Sequence, residues 1–320
     1  MIGPVSTAEK ERLTTLLGRD RCLRRRSAGY GENTEISLRI KLAAAADAAL
    51  HSAVGTMTGT SPRIVAMAVE RARTELASIG GVETAVTLLL CVPEDMPEST
   101  VREFLRVAYE ASAFEEVNIL RERREEVLAH VSAFGEKEPN DSVTDTGASE
   151  EWFIVMAGVA GIEGTVLLYE ANREQIEETY PKHFLQKVAE LPELAAGAKL
   201  IRTGLENGAA AVVPGGDGGV YGALWRLGEK FRVGMKVTLT DIPIAQITIE
   251  VCEVTDRDPY QIPGGGCVLF VTAEPERLIA ALSEAAPKVE AEVIGRLTKD
   301  AARTIENRGE TRYLEPYRGG

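Results

Sequence analysis

The chain has 320 residues, 44% hydrophobic and 27% charged, with 30 glycines and 14 prolines, a balance too apolar for disorder and near ordinary glycine and proline usage. That length predicts roughly two domains with ample material for a core, and no apolar run reaches the ~20 residues of a membrane helix. With 36 basic against 49 acidic residues the net charge is −13, the wrong sign for a non-specific nucleic-acid binder.

Ser6 and Glu9 form an S-x-x-E capping box that opens a helix with Leu13, Leu16 and Leu17 on one face. It has no apolar signal-peptide segment, and Cys22, Cys91, Cys252 and Cys267 form neither a CxxC pair nor a disulfide framework, which predicts a cytoplasmic protein. The basic run Arg19–Arg26 reads as a solvated charge run. Residues 34–40 alternate as a strand and the Ala-rich 41–54 favours a helix.

Pro62 suits the first turn of a helix whose apolar positions are Ile64, Val65, Ala68, Ala72, Leu76 and Ile79. Residues 82–92 then read as a buried strand. Thr100 and Glu103 form a second capping box, ahead of a helix burying Phe104, Leu105, Ala108, Ala111 and Ala113. Two short strands are predicted at 117–120 and 127–134. The segment 136–151 carries no apolar periodicity and is rich in turn residues, so the domain boundary is placed there, giving domains 1–148 and 149–320.

Beyond it, a strand at 152–159 leads through Gly161-Ile162-Glu163-Gly164-Thr165 into a helix, followed by an acidic helical region to about 208. A short strand at 209–213 leads through Gly215-Gly216-Asp217-Gly218-Gly219 into another helix. Strands at 235–239, 268–272 and 289–297, a helix at 275–285 and a hairpin at 304–314 complete the pattern. Residues 247–254 fit both strand alternation and helical spacing.

Three glycine-rich turns, 161–165, 215–219 and 264–266, are candidate anion sites, because bare amides at a helix start bind anions. None is a P-loop or a dinucleotide fingerprint, and a tight turn needing positive φ or close packing is the plainer reading of each. His51, His130 and His183 lie on separate elements with no metal-ligand spacing. Asp217, inside its glycine turn, is the acid best placed for Mg2+ bound through a nucleotide.

The stretches Gly161–Thr165, Gly218–Trp225, Ile242-Pro243-Ile244 with Glu250–Glu253, Asp258-Pro259-Tyr260, Val293–Thr298 and Leu314-Glu315-Pro316 resemble the aminoimidazole ribonucleotide (AIR) synthase-related superfamily. Within it, the chain is most similar to the hydrogenase maturation (expression/formation) factors. The resemblance covers 152–318 in order and spacing, and is looser before it, through Gly31-Glu32-Asn33 and 74–90. It implies an α/β (α+β) fold of two domains: an N-terminal domain that dimerises through its strands into a barrel, and a C-terminal α/β domain. It also implies ATP and Mg2+ bound mostly on N-terminal residues, and a helix around 247–255.

The same resemblance locates departures. The family's Gly-Asp/Glu-Asp turn stands here as Gly31-Glu32-Asn33, and its Asn-Asp-Ile motif as Thr74-Glu75-Leu76. Its Gly-Gly-His/Glu-Thr turn stands as Arg121-Glu122-Arg123-Arg124, and the His-Asp before the C-terminal glycine pair as Val213-Pro214. The maturation factor's terminal Cys is replaced by a chain ending Tyr317-Arg318-Gly319-Gly320. The leading expectation is a pseudoenzyme with an eroded ATP site, acting as a binding, regulatory or partner subunit. The alternative is an ATP-dependent enzyme with a rearranged site. In it Glu32, Asn33 and Glu75 hold Mg-nucleotide (Glu32 and Glu75 on the metal), Arg121, Arg123 and Arg124 replace lost amides, and Asp217, Gly218 and Gly219 face the substrate. Expected partners are a homodimer mate or a homologue in a heterodimer, and a protein maturation client; no nucleic acid and no membrane is expected.

Overall fold

A computed structural model describes residues 50–137 and 152–316. Glu32, Asn33, the opening helix, the basic run and the 34–40 strand lie outside the described residues, as does the C-terminal 317–320. The described chain divides into two compact units.

The first unit is a four-stranded sheet in the order β1-β4-β2-β3. Its strands are β1 (Leu50–Gly59), β2 (Gly81–Pro93), β3 (Glu116–Glu122) and β4 (Val127–Lys137). β4 runs antiparallel to both β1 and β2, while β2 and β3 pair in parallel. Parallel neighbours need a crossover, and α2 (Glu98–Ala111) supplies it. α1 (Arg63–Ser78) carries the predicted stripe: Ile64, Val65, Ala68, Ala72 and Leu76 are all buried. It presses on β1 so closely that a Cβ on Gly55 would lie 2.0 Å from the Ala68 carbonyl oxygen. The sheet is open, and no closed barrel is found among the described residues.

Two expectations are corrected here. The helix predicted over 41–54 is overturned where the chain is described: Leu50–Gly59 is β1, whose residues pair with β4 from Leu50↔Glu136 to Gly59↔Val127, and residues 41–49 lie outside the described residues. Ten ladder positions decide the conformation of 50–54 against a local helix preference. The capping box at Thr100 is not formed either. α2 starts three residues earlier with Pro97 as N-cap, without a side-chain cap, and Glu98 stands in its first turn with Arg102 3.1 Å away.

The second unit is a seven-stranded sheet, β11-β10-β7-β9-β5-β8-β6. In chain order the strands are β5 (Phe153–Ala157), β6 (Ala209–Pro214), β7 (Gly234–Thr238), β8 (Val268–Thr272), β9 (Ala291–Thr298), β10 (Arg303–Asn307) and β11 (Glu310–Tyr313). Only β10 and β7 pair in parallel. The central strands read as unbroken apolar runs because both faces are covered. Alternate residues of one strand therefore serve two cores: Ile154 and Met156 join Leu224, Leu227 and Val237 on one side. Val155 and Ala157 join Leu200, Phe270 and Leu278 on the other.

The helices that matter below are α3 (Ile162–Ala171), α7 (Ala198–Glu206), α8 (Gly219–Phe231), α9 (Gln246–Val254) and α10 (Pro275–Ala285), with α4 to α6 the short helices between 173 and 190. The ambiguous 247–254 is helical, as the resemblance implied; Ile247, Thr248, Val251 and Cys252 form its buried stripe. β10 and β11 form the predicted hairpin, turned by Arg308 and Gly309, both at positive φ, the geometry of a type I′ connection.

Candidate functional site

Three glycine turns that are far apart in sequence meet at one edge of the second sheet, where β5 and β6 end and β8 begins. Gly161, at φ +71, is the N-cap of α3, and Gly218, at φ +79, is the N-cap of α8. The loop before β8 lies across both. Gly164 N–H donates to the Pro263 carbonyl (2.9 Å), Gly264 N–H to Gly216 (3.0 Å) and Gly215 N–H to Cys267 (2.7 Å). Glycine is required by space: a Cβ on Gly219 would lie 2.4 Å from the Tyr260 carbonyl oxygen, and one on Gly215 2.1 Å from that of Gly264.

These amides are satisfied by one another rather than held open for an anion. The junction is a packed backbone seam, and close approach is what its glycines provide.

Inside the seam sits a carboxylate. Glu163, on the first turn of α3 and only 5% exposed, accepts a hydrogen bond from Gly265 N–H at 3.1 Å. A Cβ on Gly265 would fall 2.0 Å from its Cδ. Cys267 is buried beside it, and burial, reinforced by the Glu163 charge, pushes its thiol up to about 12. Arg226 of α8 donates to the Pro214 carbonyl and offsets a part of that shift. Thr165 ties α3 to α9 through a buried bond to Thr248 at 3.0 Å. Sequence reasoning singled out the turn and passed over Glu163; its sole signal is an acid between two glycines at a helix start.

Of the residues expected at the site, Asp217 is exposed at the tip of its turn, with Gly218 and Gly219 in the seam beneath it. Glu75 is half-buried near the end of α1. Beside it Thr74 bonds back to the Glu70 carbonyl, and Arg73 joins Glu83 (2.7 Å) and Ser112 (3.0 Å). Arg121, on β3, donates to the carbonyls of Glu94 (3.1 Å) and Met96 (2.9 Å), pinning the turn after β2. Arg124 lies 3.6 Å from Glu122 and donates to the Glu126 carbonyl.

The structure does not bring Glu75 to these arginines. Leu76, next to Glu75, packs at Gly81, where β2 begins, whereas Arg121 registers with Val92, near the far end of β2. The stretch between is on the order of 30 Å of strand. Among the described residues no three His, Cys, Asp or Glu side chains gather as a metal site would need, so the described members of the proposed set do not fit Mg2+ by themselves.

No family model matches the chain. A putative hydrogenase expression/formation protein of Methanocaldococcus jannaschii is 25% identical over 245 residues, covering 73% of this chain and 70% of the relative. Escherichia coli HypE superposes with a TM-score of 0.71 at 17% identity, over 88% of this chain and 89% of that one. HypE has also been solved in complex with ATP (TM-score 0.66, 16% identity, 84% of this chain and 85% of that one) and with HypF (TM-score 0.65, 18%, 83% and 90%). Thiamine monophosphate kinase of Aquifex aeolicus follows at 0.59, with 21% identity over 89% and 98%. The chain thus has the fold of these maturation-factor and kinase structures, and its sequence is similar to that of a hydrogenase expression/formation protein, which supports the resemblance to the AIR synthase-related superfamily.

Proposed function

We propose that the chain is a maturation-factor-like protein whose nucleotide site has eroded, so that it serves as a binding or regulatory subunit for a homologue or a client protein. The observation that carries this reading is the state of the arginines. Arg121 and Arg124 are committed to backbone carbonyls and to Glu122, and they stand at the far end of β2 from Glu75. A guanidinium that already satisfies protein acceptors is a poor substitute for the bare amides a phosphate needs. Lengthening the family's acid to Glu75 also disturbs the near-octahedral geometry that Mg2+ prefers. The complex of HypE with HypF supports a protein partner. Domains 1–148 and 149–320, strand-mediated dimerisation of the first, and a cytoplasmic location belong to the same reading.

A second reading, an ATP-dependent enzyme with Glu32, Asn33 and Glu75 on the Mg-nucleotide and Asp217, Gly218 and Gly219 facing the substrate, draws support from HypE solved with ATP. Calorimetric titration with Mg·ATP separates the two. The wild type, folded by circular dichroism, is expected to give no heat that depends on Glu75, Arg121 or Arg124. Micromolar binding abolished both by Glu75→Gln and by the Arg121→Ala/Arg124→Ala pair would make the enzyme reading primary. The Glu75 variant is included because Arg121 pins a turn and its loss alone could loosen the unit. Light scattering at micromolar protein then reads the oligomeric state.

A further inference from the structure

One face of the second sheet is only half covered. α7 and α10 pack on its β5-β8-β6 side, over Val155, Val212 and Phe270. Beyond β5 the register carries one row of side chains across the same face. Phe153 opposes Arg296, Arg296 opposes Lys236, Lys236 lies beside Thr304, and Thr304 opposes Tyr313. The next residues along these strands, Ile154, Val237 and Ile305, belong to the core on the other face, which fixes the direction of the row. Arg296 and Lys236 are exposed, Phe153 and Thr304 half-buried, and Tyr313, on the outermost strand, is 76% exposed.

Part of this row lines a cleft of about 620 Å³ that also takes in Thr238, Asp241 and Glu306. Arg296 and Lys236 are like charges at directly opposed positions, an arrangement that costs stability. Neither has a hydrogen-bond or ion-pair partner for its side chain among the described residues. A carboxylate seated between them removes that cost. One period-2 step along β7, about 7 Å on, the sign changes: Thr238 registers with Glu306, and Asp241 follows three residues past the strand. Acids this close repel a phosphate backbone or any other polyanion, whereas a chain that alternates in sign meets both rows. The spacing is that of side chains two apart on an extended peptide, which point to the same side.

We propose that this face docks a partner protein through an extended segment lying along β7, with an Asp or Glu between Arg296 and Lys236 and, two residues away, a Lys or Arg at Glu306. Phe153 and Tyr313 supply aromatic ground on either side, of the kind that anchors protein contacts. The surface consists of second-unit residues alone. It goes beyond the binding-subunit reading and does not rest on it, since an active enzyme would carry the same surface.

The test is an NMR titration of the isotope-labelled full-length protein with a capped seven-residue peptide of Gly, Ser and Thr that carries Glu at its third and Lys at its fifth position. Saturable shifts of the β7, β9 and β10 amides are expected at about 1 mM, the range that a pair of charge-assisted contacts reaches. Moving the Lys to the fourth position turns the two charges to opposite sides and should weaken binding about fivefold or more; replacing it by Glu, which meets Glu306, should do the same. Arg296→Ala should cost the Glu–Lys peptide about fivefold or more. Lys236→Glu gives the sharper readout. It pairs with Arg296, so it should raise the urea midpoint while abolishing peptide binding, a combination that a purely structural role would not produce. Absence of saturable shifts overturns the proposal, as does equal binding of the adjacent-charge peptide or unchanged binding by Arg296→Ala. Tighter binding of an all-Glu peptide or of single-stranded RNA than of the Glu–Lys peptide would overturn it in favour of a polyanion. An oligomer in light scattering that Tyr313→Asp dissociates would assign the face to a second copy of the chain and overturn the partner segment. Mg·ATP titration tests the eroded-site reading separately, so the two can fail independently.

Discussion

Gly219 and Gly309 both sit at positive φ, yet they do different work. Around Gly219 the Tyr260 and Ile262 carbonyl oxygens leave no room, at 2.4 and 2.6 Å from a would-be Cβ, whereas nothing lies within 4 Å of Gly309. Gly219→Ala is therefore expected to cost about 2–4 kcal/mol, backbone strain plus overpacking, and Gly309→Ala about 1 kcal/mol from strain alone. Urea midpoints at constant m-value read the difference. The sequence shows both glycines equally well; which of them is hemmed in depends on a loop some forty residues away. Protonation is also decided at this scale. Burial pushes Cys267 and Tyr221 up to about 12 and Cys252 up to about 11. In the unfolded chain these groups lose their protons near 9 to 10, so between there and about 12 the folded state holds more protons than the unfolded. Stability is complete below about pH 9 and falls as pH rises, by about 1.4 kcal/mol per pH unit for each group titrating only when unfolded. Chemical denaturation at pH 8, 9 and 10 should show midpoints that drop only on the alkaline side.

At the level of elements, the cap of α2 is the clearest test. Thr100 is the third residue of the helix rather than its cap, so Thr100→Ala should change stability by less than about 0.5 kcal/mol, where removing a true N-cap costs about 1. A larger loss in a thermal melt would restore the capping box. Most elements were legible in the residues. The stripe Ile64, Val65, Ala68, Ala72, Leu76 and the runs at 153–157 and 268–272 announce themselves by period or by continuous apolarity. What misled was local propensity without its partner. The alanines before β1 favour a helix, and only β4, some eighty residues on, makes 50–59 a strand. Residues 247–254 fit both periods, and resemblance rather than pattern decided them.

Taken as a whole molecule, the second unit keeps all six pairings of its seven strands within itself and has a core on each face of its sheet. A fragment of 149–320 is expected to fold alone with a single cooperative urea transition; a fragment that stays unfolded would refute the boundary. The candidate site was half legible at this scale. Each glycine turn was visible, as were Asp217, Glu75 and the arginines, but their arrangement follows from sheet order and register. Those put three turns in one seam and set Glu75 and Arg121 at opposite ends of β2.

The seam also constrains how such a chain can change over time. Glu163 fills the space that a side chain at 265 would occupy, while Gly265 supplies the N–H that the buried carboxylate accepts. The two positions are therefore not free to vary independently. A larger residue at 265 becomes tolerable only after 163 has shrunk, and the shrinking step by itself opens a void against Cys267. Lineages that leave the present pairing must cross in one order, by way of a weakened intermediate, which makes Glu163 and Gly265 an epistatic pair separated by a hundred residues of sequence.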